Sequence, residues 1–425
     1  MKLLPLPALA AVLALAASCT SGTSGIFASI EREQAIVSNG GLSKTATITT
    51  VAQLNGTVNK YFATGGKSLF TRSTDPTATA WTATTVKGNS QVTSVGSTAD
   101  PTQTAPVSPA SYTPHAVYAV AGGTLWVTTD GDNWGTPVFA SGSGSLGAND
   151  VPATLVPIVR ADGYTSTDLV LVTGNSTLGV TDSDGAAVAV YPHVYVIQGG
   201  STDTLVGPLN LTTDGTTIAG HQLAAAVDDG TNYWLLDAAS LWKAPKSGLA
   251  ASTLNASTTW PSSVSPKAFL SLIDVNGTFF LGTNVNTGSG GSIYSTNAPD
   301  TGSSWTAITN GSAVTTSTGS YPVSFGCFLL NPQTGHLWVG SASSGNSVVG
   351  NGYMEITGLG GTPALNKGSV VDSNVDNYSS SSLSTQFVGS LFWGTNQDGT
   401  HNLFLGTMAF GLWSWAPSTE KWSQQ

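Results

Sequence analysis

The sequence predicts an all-β protein, and three observations lead to that fold class. Charged residues make up only 8% of the 425 residues, while glycine alone occupies 50 positions. This composition suits short strands joined by tight turns, and it is poor for amphipathic helices, whose exposed faces are rich in Lys and Glu. Asn-Gly and Asp-Gly pairs such as Asn276-Gly277 recur between apolar runs, and they favour hairpins because both central turn residues need a positive φ. The third observation is a repeat.

The repeated unit consists of an apolar strand, a glycine-containing turn, a second apolar strand that often ends in Gly, and a short third strand. The third strand recurs at steps of roughly 53 to 63 residues, at Leu69-Phe70, Leu125-Trp126, Leu178, Leu241-Trp242, Ile293-Tyr294, Tyr353-Met354 and Leu412-Trp413. Tryptophan marks a fourth strand in several units, at Trp81, Trp134, Trp260, Trp305 and Trp422. Each unit is therefore predicted to be a four-stranded antiparallel meander.

A four-stranded sheet cannot bury both of its faces alone. Repeated sheets therefore stack face to face, and closing the stack into a ring protects their edges. We expect a β-propeller of seven blades over residues 43–425. Six or eight blades remain open, because Ser108-Pro109-Ala110 replaces the expected turn in the second unit. A right-handed parallel β-helix is the competing fold, although its repeat is far shorter.

The first residues predict export from the cytoplasm. Lys2 precedes an apolar stretch that ends in small residues, so residues 1–18 have the parts of a signal peptide. The stretch is too short to span a bilayer as a helix. Ala16-Ala17-Ser18-Cys19 resembles the lipobox of bacterial lipoproteins, and this resemblance implies that Cys19 is acylated. An ordinary cleaved signal peptide is the alternative.

The resemblance to lipoproteins also implies a location. Residues 19–42 would form a flexible tether between the lipid and the propeller. Thr20 rather than Asp follows the cysteine, which by similarity to enterobacterial sorting implies the outer rather than the inner membrane. With Cys19 acylated, Cys327 has no partner for an intrachain disulfide. Its apolar surroundings predict a small buried hydrophobic residue and not a nucleophile.

One hairpin resembles the Asp-box of sialidase-like propellers. Its matching residues are Thr128, Asp130, Gly131 and Trp134, and the copy is one residue short. In that family the Asp side chain fixes the turn and the Trp packs between blades, so the resemblance implies structural roles and no catalytic residue. A sialidase would also need three arginines that converge on the substrate carboxylate, and the whole chain contains only three.

Other candidate sites are weaker. Asp372, Asn374 and Asp376 place oxygen atoms at positions 1, 3 and 5 of a calcium loop. Position six is not Gly and no Glu closes the loop, so an acidic loop without an ion is the simpler interpretation. The five histidines have no ligand spacing, and we expect no zinc site and no cofactor. We expect Trp393 and Trp415 to be exposed ligand contacts.

The net charge of −10 and the scarcity of arginine disfavour nucleic-acid binding, which needs clustered basic residues. We expect a monomeric, non-catalytic envelope lipoprotein that is attached to the membrane by its N-terminal lipid. Its propeller would bind a protein or a glycan, as an adhesin or scaffold. The alternative is a tethered carbohydrate-active enzyme, which needs two carboxylates about 5 to 10 Å apart in the central funnel. A surface antigen with little binding role is a third possibility.

Replacing Cys19 by Ser tests the lipid anchor. We expect Cys19→Ser to leave the membrane fraction, because it lacks the thiol that carries the acyl chains. Fractionation with immunoblotting measures the release, and circular dichroism checks that the fold is unchanged. Cys327→Ser is the matched control and should stay membrane-bound. Retention of Cys19→Ser in membranes would show that this prediction is wrong.

Overall fold

The computed structural model describes residues 41–425 except for internal gaps. The longer gaps are 105–111, 161–166, 175–178, 182–186, 190–192, 218–222, 256–268, 285–290, 343–351, 367–386 and 417–420. The shorter gaps are 57, 67, 90, 149, 214–215, 238–239, 250–252, 302–303, 310–312, 317–318, 323, 333 and 409. Cys19, the predicted signal peptide and the predicted calcium loop therefore lie outside the described residues.

The described residues contain no α-helix. Seven groups of strands are numbered sheets 1 to 7 in chain order; a parallel pair joins sheets 3 and 4 into one nine-stranded sheet, and two separate two-stranded hairpins are also present. Sheet 1 contains β1 Ile48–Leu54, β2 Lys60–Gly65, β3 Ser68–Ser73 and β4 Thr82–Thr84. Sheet 2 contains β5 Val92–Thr104, β6 Tyr112–Ala121 and β7 Thr124–Thr128. Sheet 3 contains β8 Val151–Arg160, β9 Leu169–Gly174, β12 Val194–Gln198 and β13 Thr204–Thr213, and the hairpin of β10 Gly179–Thr181 and β11 Ala187–Ala189 lies between β9 and β12 in the chain.

The remaining sheets follow the same order. Sheet 4 contains β15 Leu223–Asp228, β16 Asn232–Asp237 and β17 Leu241–Pro245, while β14 Thr216–Thr217 and β18 Thr253–Asn255 pair with β13. Sheet 5 contains β19 Phe269–Val275, β20 Thr278–Thr283, β21 Ile293–Thr296 and β22 Thr306–Thr309, and it is followed by the hairpin of β23 Ala313–Thr316 and β24 Gly319–Pro322. Sheet 6 contains β25 Ser324–Leu330, β26 Leu337–Ala342, β27 Tyr353–Thr357 and β28 Ala364–Asn366. Sheet 7 contains β29 Val388–Thr395, β30 His401–Thr407, β31 Leu412–Ala416 and β32 Lys421–Gln424.

The first strands of the sheets lie next to one another in chain order. Contacts join β1 to β5, β5 to β8, β8 to β15, β15 to β19, β19 to β25 and β25 to β29, and β29 also contacts β1. β8 and β15 pair directly, as parallel strands. The protein is therefore all-β and propeller-like, as the repeat predicts.

Every first strand has a β-bulge near its start. The register against the second strand shifts between Ile48 and Val51, Val92 and Ser94, Pro152 and Thr154, Leu223 and Ala225, Phe269 and Ser271, Phe325 and Cys327, and Val388 and Ser390. A bulge bends a strand and re-aims a side chain. Its recurrence at one position shows that the described sheets are copies of one unit.

A small side chain after the bulge joins neighbouring sheets. In sheet 6 the Cys327 thiol donates to the Val388 carbonyl of sheet 7 across 3.6 Å. Gly340 on β26 lies opposite, and a Cβ there would be 2.4 Å from Cys327 Sγ and 2.9 Å from the Val388 carbonyl oxygen. The glycine at this position of the second strand therefore lets two sheets approach closely.

The same arrangement recurs in sheets 5 and 7. Ser271 donates to the Phe325 carbonyl across 2.9 Å, opposite Gly282. In sheet 7 a Cβ on Gly406 would be 2.3 Å from Ser390 Oγ and 2.9 Å from Ile48 of sheet 1. The recurrent glycine in the sequence repeat thus marks a close approach between sheets.

Apolar clusters fill the space between adjacent sheets. Phe62 of sheet 1 packs against Trp134, which follows β7 of sheet 2, with ring centroids 6.0 Å apart. Trp234 of sheet 4 packs against Phe279 of sheet 5 at 5.4 Å. Phe404 of sheet 7 lies in one cluster with Ile48 and other residues of sheet 1. Burial of these side chains is the main favourable term that holds the sheets together.

Most predicted third strands coincide with described strands, but the predicted four-stranded unit is wrong for sheet 2, which has three described strands and none at Trp134, and Trp260 lies outside the described residues. Asn276 and Gly277 have φ values of 52° and 84°, as the predicted hairpin turn requires. The predicted third strand at Leu178 lies outside the described residues, and the described strand that pairs with β9 is β12. The hairpin of β10 and β11 stands between β9 and β12 in the chain.

Gly406→Ala tests the close approach between sheets. The new methyl group would overlap Ser390 and Ile48, so we expect a loss of about 1–3 kcal/mol in the free energy of unfolding. Urea denaturation measures the loss. Gly360→Ala is the matched control, because a Cβ at Gly360 meets no atom within 4 Å. Equal stability of the two variants would contradict the packing described here.

Candidate functional site

One described cavity lies between the first strands and is called the central channel. Its volume is about 240 Å³, and residues from all seven first strands line it. Most of these residues come from the starting halves of the strands, such as Thr49 on β1, Ala224 on β15 and Gly389 on β29. The bulges therefore place side chains at the channel wall.

The described lining of the channel contains no Asp, Glu, His, Lys or Arg. Two of its hydroxyl groups bond to the strands: Ser97 donates to the Gln53 carbonyl at 2.7 Å, and Ser271 donates to the Phe325 carbonyl. Ser390 Oγ is buried without a hydrogen-bond partner and faces Gly406. The surface presented to the channel is uncharged and mainly apolar, with contributions from Val156, Leu391 and others.

Cys327 lines the channel but has no sign of activation. Burial raises the pKa of its thiol to about 12. The sulfur donates to the Val388 carbonyl. A protonated thiol is a poor nucleophile, and this residue occupies the position that Ser271 and Ser390 take in their sheets. Its environment therefore fits the predicted structural role.

The two tryptophans expected as exposed ligand contacts differ in environment. The expected exposure of Trp393 is wrong, since its side chain is only 6% exposed and lies 4.9 Å, centroid to centroid, from His401. It does line the central channel. Trp415 is half-buried and packs on Trp338 and Trp422. Contact of either residue with a ligand stays a prediction.

The Asp-box-like hairpin is a tight polar turn after β7. Asp130 Oδ1 accepts the backbone N–H groups of Asp132 and Asn133, at 3.0 and 2.7 Å. The Gly131 N–H donates to Thr128 Oγ1. The Asn133 side chain and these backbone groups hold the pKa of Asp130 well below its usual value. Trp134 is buried against sheet 1, so the hairpin connects two sheets.

Acidic residues lie instead in a cleft between sheets 4 and 5, which has a volume of about 580 Å³. Trp234 forms part of its wall, but it is buried and its indole N–H donates to Asp229 at 2.7 Å. Lys243 pairs with Asp300 at 3.1 Å and lies over the Trp234 ring. The cleft is therefore polar and offers no exposed aromatic face.

Two carboxyl groups in this cleft have opposite pKa shifts. Burial raises the pKa of Asp274 to about 6, and the charges of Asp229 and Asp228 add to this rise. Burial also tends to raise the pKa of Asp229. Hydrogen bonds from Trp234, from the Asn232 side chain and from backbone N–H groups outweigh burial, so the pKa of Asp229 lies below its usual value. Carboxyl groups whose environments push their pKa values apart are candidates for acid and base roles.

A buried carboxylate that no sequence motif marks joins sheets 2 and 3. Asp203 accepts hydrogen bonds from Thr98, Tyr118 and His115, at 2.7, 2.7 and 3.0 Å. Burial alone would raise the pKa of Asp203. The three hydrogen bonds outweigh this effect, so the pKa of Asp203 lies below its usual value. The partners are distant in sequence, so no local motif marks the cluster. It fixes the two sheets and lies outside the channel lining.

Asp150, which directly precedes β8, forms a similar hydrogen-bonded cluster with residues of sheet 3. Tyr195 donates to its carboxylate, and His193 Nδ1 lies 2.8 Å from Oδ1. Burial and the bond to Asp150 raise the pKa of Tyr195 to about 12. Within the described part of the chain, no group of three or more His, Cys, Asp or Glu side chains could hold a metal ion.

The sequence matches no protein-family model and no curated protein. The chain is similar to the extracellular domain of BT4673 from B. thetaiotaomicron, with 11% identity, a TM-score of 0.46, and coverage of 86% of this chain and 38% of that one. A puromycin-hydrolyzing peptidase of Mycobacterium tuberculosis shows 11% identity, a TM-score of 0.43, and coverage of 89% and 53%. YCF48 from Cyanidioschyzon merolae shows 12% identity, a TM-score of 0.45, and coverage of 88% and 97%.

The chain thus spans about two fifths and about half of the first two proteins. Similarity at this level does not indicate a shared activity. No helix long and apolar enough to cross a membrane occurs among the residues described.

Asp274→Asn tests the raised pKa in the cleft. Because the pKa of Asp274 is raised from 3.8 to about 6, the Asp274 carboxyl lowers stability progressively as the pH rises through this interval, and the loss is complete above about pH 6. We expect Asp274→Asn to increase the free energy of unfolding by about 1–2 kcal/mol at pH 8 and to change it little at about pH 3, where the carboxyl is protonated in both the folded and the unfolded state.

Urea denaturation at both pH values measures this effect. Asp229→Asn is the contrasting variant, because the pKa of Asp229 is lowered and its ionised form stabilises the fold at pH 8. It should therefore be destabilised at pH 8. A loss of stability at pH 8 for Asp274→Asn would contradict the assignment.

Proposed function

We propose that this protein is a non-catalytic envelope lipoprotein whose closed, seven-bladed propeller binds a protein or a glycan. Cys19 carries the lipid, residues 19–42 form the tether, and the outer membrane is the favoured location. The protein acts as a monomer, as an adhesin or a scaffold. The calcium loop at Asp372, Asn374 and Asp376 has no part in this proposal.

Contacts between the terminal sheets support closure with seven blades. The Gln53 side chain on β1 accepts from the Thr395 N–H at 3.0 Å, and its amide donates to the Thr395 carbonyl of β29. Tyr61 donates to Asn396 across 2.9 Å. Gly406 meets Ile48 in the way that Gly340 meets Val388. The step from sheet 7 to sheet 1 thus repeats the steps between consecutive sheets.

The buried Arg72 adds a further contact at the same junction. Its guanidinium donates to Gln425 across 2.6 Å and lies between 5.1 and 5.5 Å from the rings of Tyr61, Trp81 and Phe404. Cation–π contacts of this kind attract a desolvated cation to aromatic faces. These contacts favour a rigid ring, because Arg72 and Tyr61 belong to sheet 1 while Phe404 belongs to sheet 7.

The observation that carries the non-catalytic proposal is the uncharged wall of the central channel. General acid–base or nucleophilic chemistry needs an ionisable group poised near neutral pH. The described lining offers only the Cys327 thiol, and burial keeps that group protonated. A rigid fold with an inert channel suits recognition better than catalysis.

A tethered carbohydrate-active enzyme is the second candidate, and the cleft between sheets 4 and 5 favours it. There Asp274 has a raised pKa and Asp229 a lowered one, as a general acid and its partner carboxylate would. A purely structural role competes with this candidate, because both carboxylates stabilise turns. The Asp229 carboxylate accepts hydrogen bonds from its own hairpin, and the Asp274 carboxylate accepts one from the Gly277 N–H.

Full-length Cys19→Ser protein on a glycan array and in pull-downs with purified envelope fractions tests binding. The same protein with a panel of chromogenic glycosides tests hydrolysis. We expect a saturable ligand and no turnover. Met408→Ser alters an exposed residue beside β30, and Lys243→Met alters the cleft, so loss of binding in one variant alone locates the surface.

Turnover that disappears in Asp274→Asn and in Asp229→Asn would establish the enzyme and overturn the non-catalytic proposal. Saturable binding without turnover in all variants supports the proposal. If neither the array nor the pull-down yields a ligand, the proposed binding function is wrong. A projection image along the channel that shows a number of blades other than seven would contradict the closed ring.

A further inference from the structure

The central channel has a volume and an uncharged lining that the proposed recognition of a protein or glycan does not require. We propose that it binds a neutral ligand through an alkyl or aryl group of about ten carbon atoms. This site is independent of the function proposed above, because a small ligand inside the channel leaves both outer ends of the ring free.

The volume of the channel sets the size of the ligand. An apolar cavity of about 150 Å³ is known to admit one benzene molecule. The channel holds about 240 Å³, which scales to about ten carbon atoms. The cavity is therefore too small for a folded element and suits one hydrocarbon group.

The lining sets the charge of the ligand. Leu391, Phe392, Val156 and Val159 contribute apolar surface, and the part of the lining that the structure describes has no charged side chain. A charged group moved into such a site loses its hydration without a partner. The hydroxyl groups of Ser97 and Ser271 already donate to backbone carbonyls of neighbouring sheets. A neutral hydrocarbon group is consequently the fitting occupant.

Exposed apolar residues near the start of β29 indicate where the ligand enters. Met408 is 44% exposed, and its backbone N–H donates to the Phe387 carbonyl at 3.0 Å. A Cβ on Gly389, which lines the channel, would be 3.5 Å from Met408 Cγ. Phe410, in the same turn after β30, is also 44% exposed. We therefore place the entrance at this end of the channel, where Met408 lies beside Gly389.

The test uses full-length Cys19→Ser protein, so that no detergent competes for the channel. The probes are 1-decanol, 2-naphthol and, as the charged analogue, decanoate. We expect saturable binding of both neutral probes by isothermal calorimetry, with a rise in Tm of about 2 °C or more at saturation. Decanoate should bind at least about tenfold more weakly, because its carboxylate would be desolvated.

Ala224→Phe fills the channel, since Ala224 is exposed and lines it. We expect this variant to lose binding of both probes by about tenfold or more. Ala83→Phe is the matched control, because Ala83 is exposed on the outer strand β4 and should bind as the parent does. Equal affinity of the two variants, or no binding of either neutral probe by the parent, overturns the proposal.

Crystals of the parent soaked in 8-bromo-1-octanol give a readout that does not depend on the folding of a variant. Anomalous scattering from bromine between the first strands, within about 4 Å of Leu391 or Phe392, supports the site. Bromine bound only elsewhere on the protein overturns it. Failure of these tests leaves the binding of a protein or glycan unaffected, because that function is read on the array.

Discussion

The distance between neighbouring first strands is the constraint on which the rest of this structure depends. It is set where a bulged first strand turns a small side chain toward the next sheet, as Ser271 and Cys327 do. In sheets 5, 6 and 7 the second strand carries glycine at the facing position, as at Gly282 and Gly340. A larger residue at either place would push these sheets apart. Because the same first strands line the channel, this packing sets the position of their part of the channel wall.

Much of the fold could be predicted because its determinants are local. Asn276-Gly277 specifies a turn through its own backbone preferences, and a tryptophan such as Trp305 next to an outer strand fits the repeated pattern. The third strand of sheet 3 could not be predicted, since the inserted β10–β11 hairpin resembles a continuation of the repeat. The proposed blade count depends on a contact between Gly406 and Ile48, which are at opposite ends of the described chain.

The candidate sites were less predictable, because their residues meet only after the sheets stack. Asp274 gains its raised pKa from burial and from charges on the neighbouring sheet, so the sequence around it has no mark of the change. Asp203 accepts hydrogen bonds from residues of sheet 2 that are distant from it in the sequence. Trp393, which was expected to be an exposed contact, is buried at the channel wall. Local pattern thus identifies strands and turns, while burial and long-range contacts determine the chemistry.

The parallel pairing of β8 with β15 makes sheets 3 and 4 a single hydrogen-bonded sheet, whereas the other described neighbouring sheets share no strand-to-strand ladder. Forming this pair closes a chain segment that contains the whole of sheet 3, and the entropy of that closure opposes early pairing. Once formed, the two sheets must open together, since neither can leave without breaking backbone bonds. Their amide hydrogens would then exchange with solvent as one cooperative group, and this arc of the molecule would be the last to separate under force.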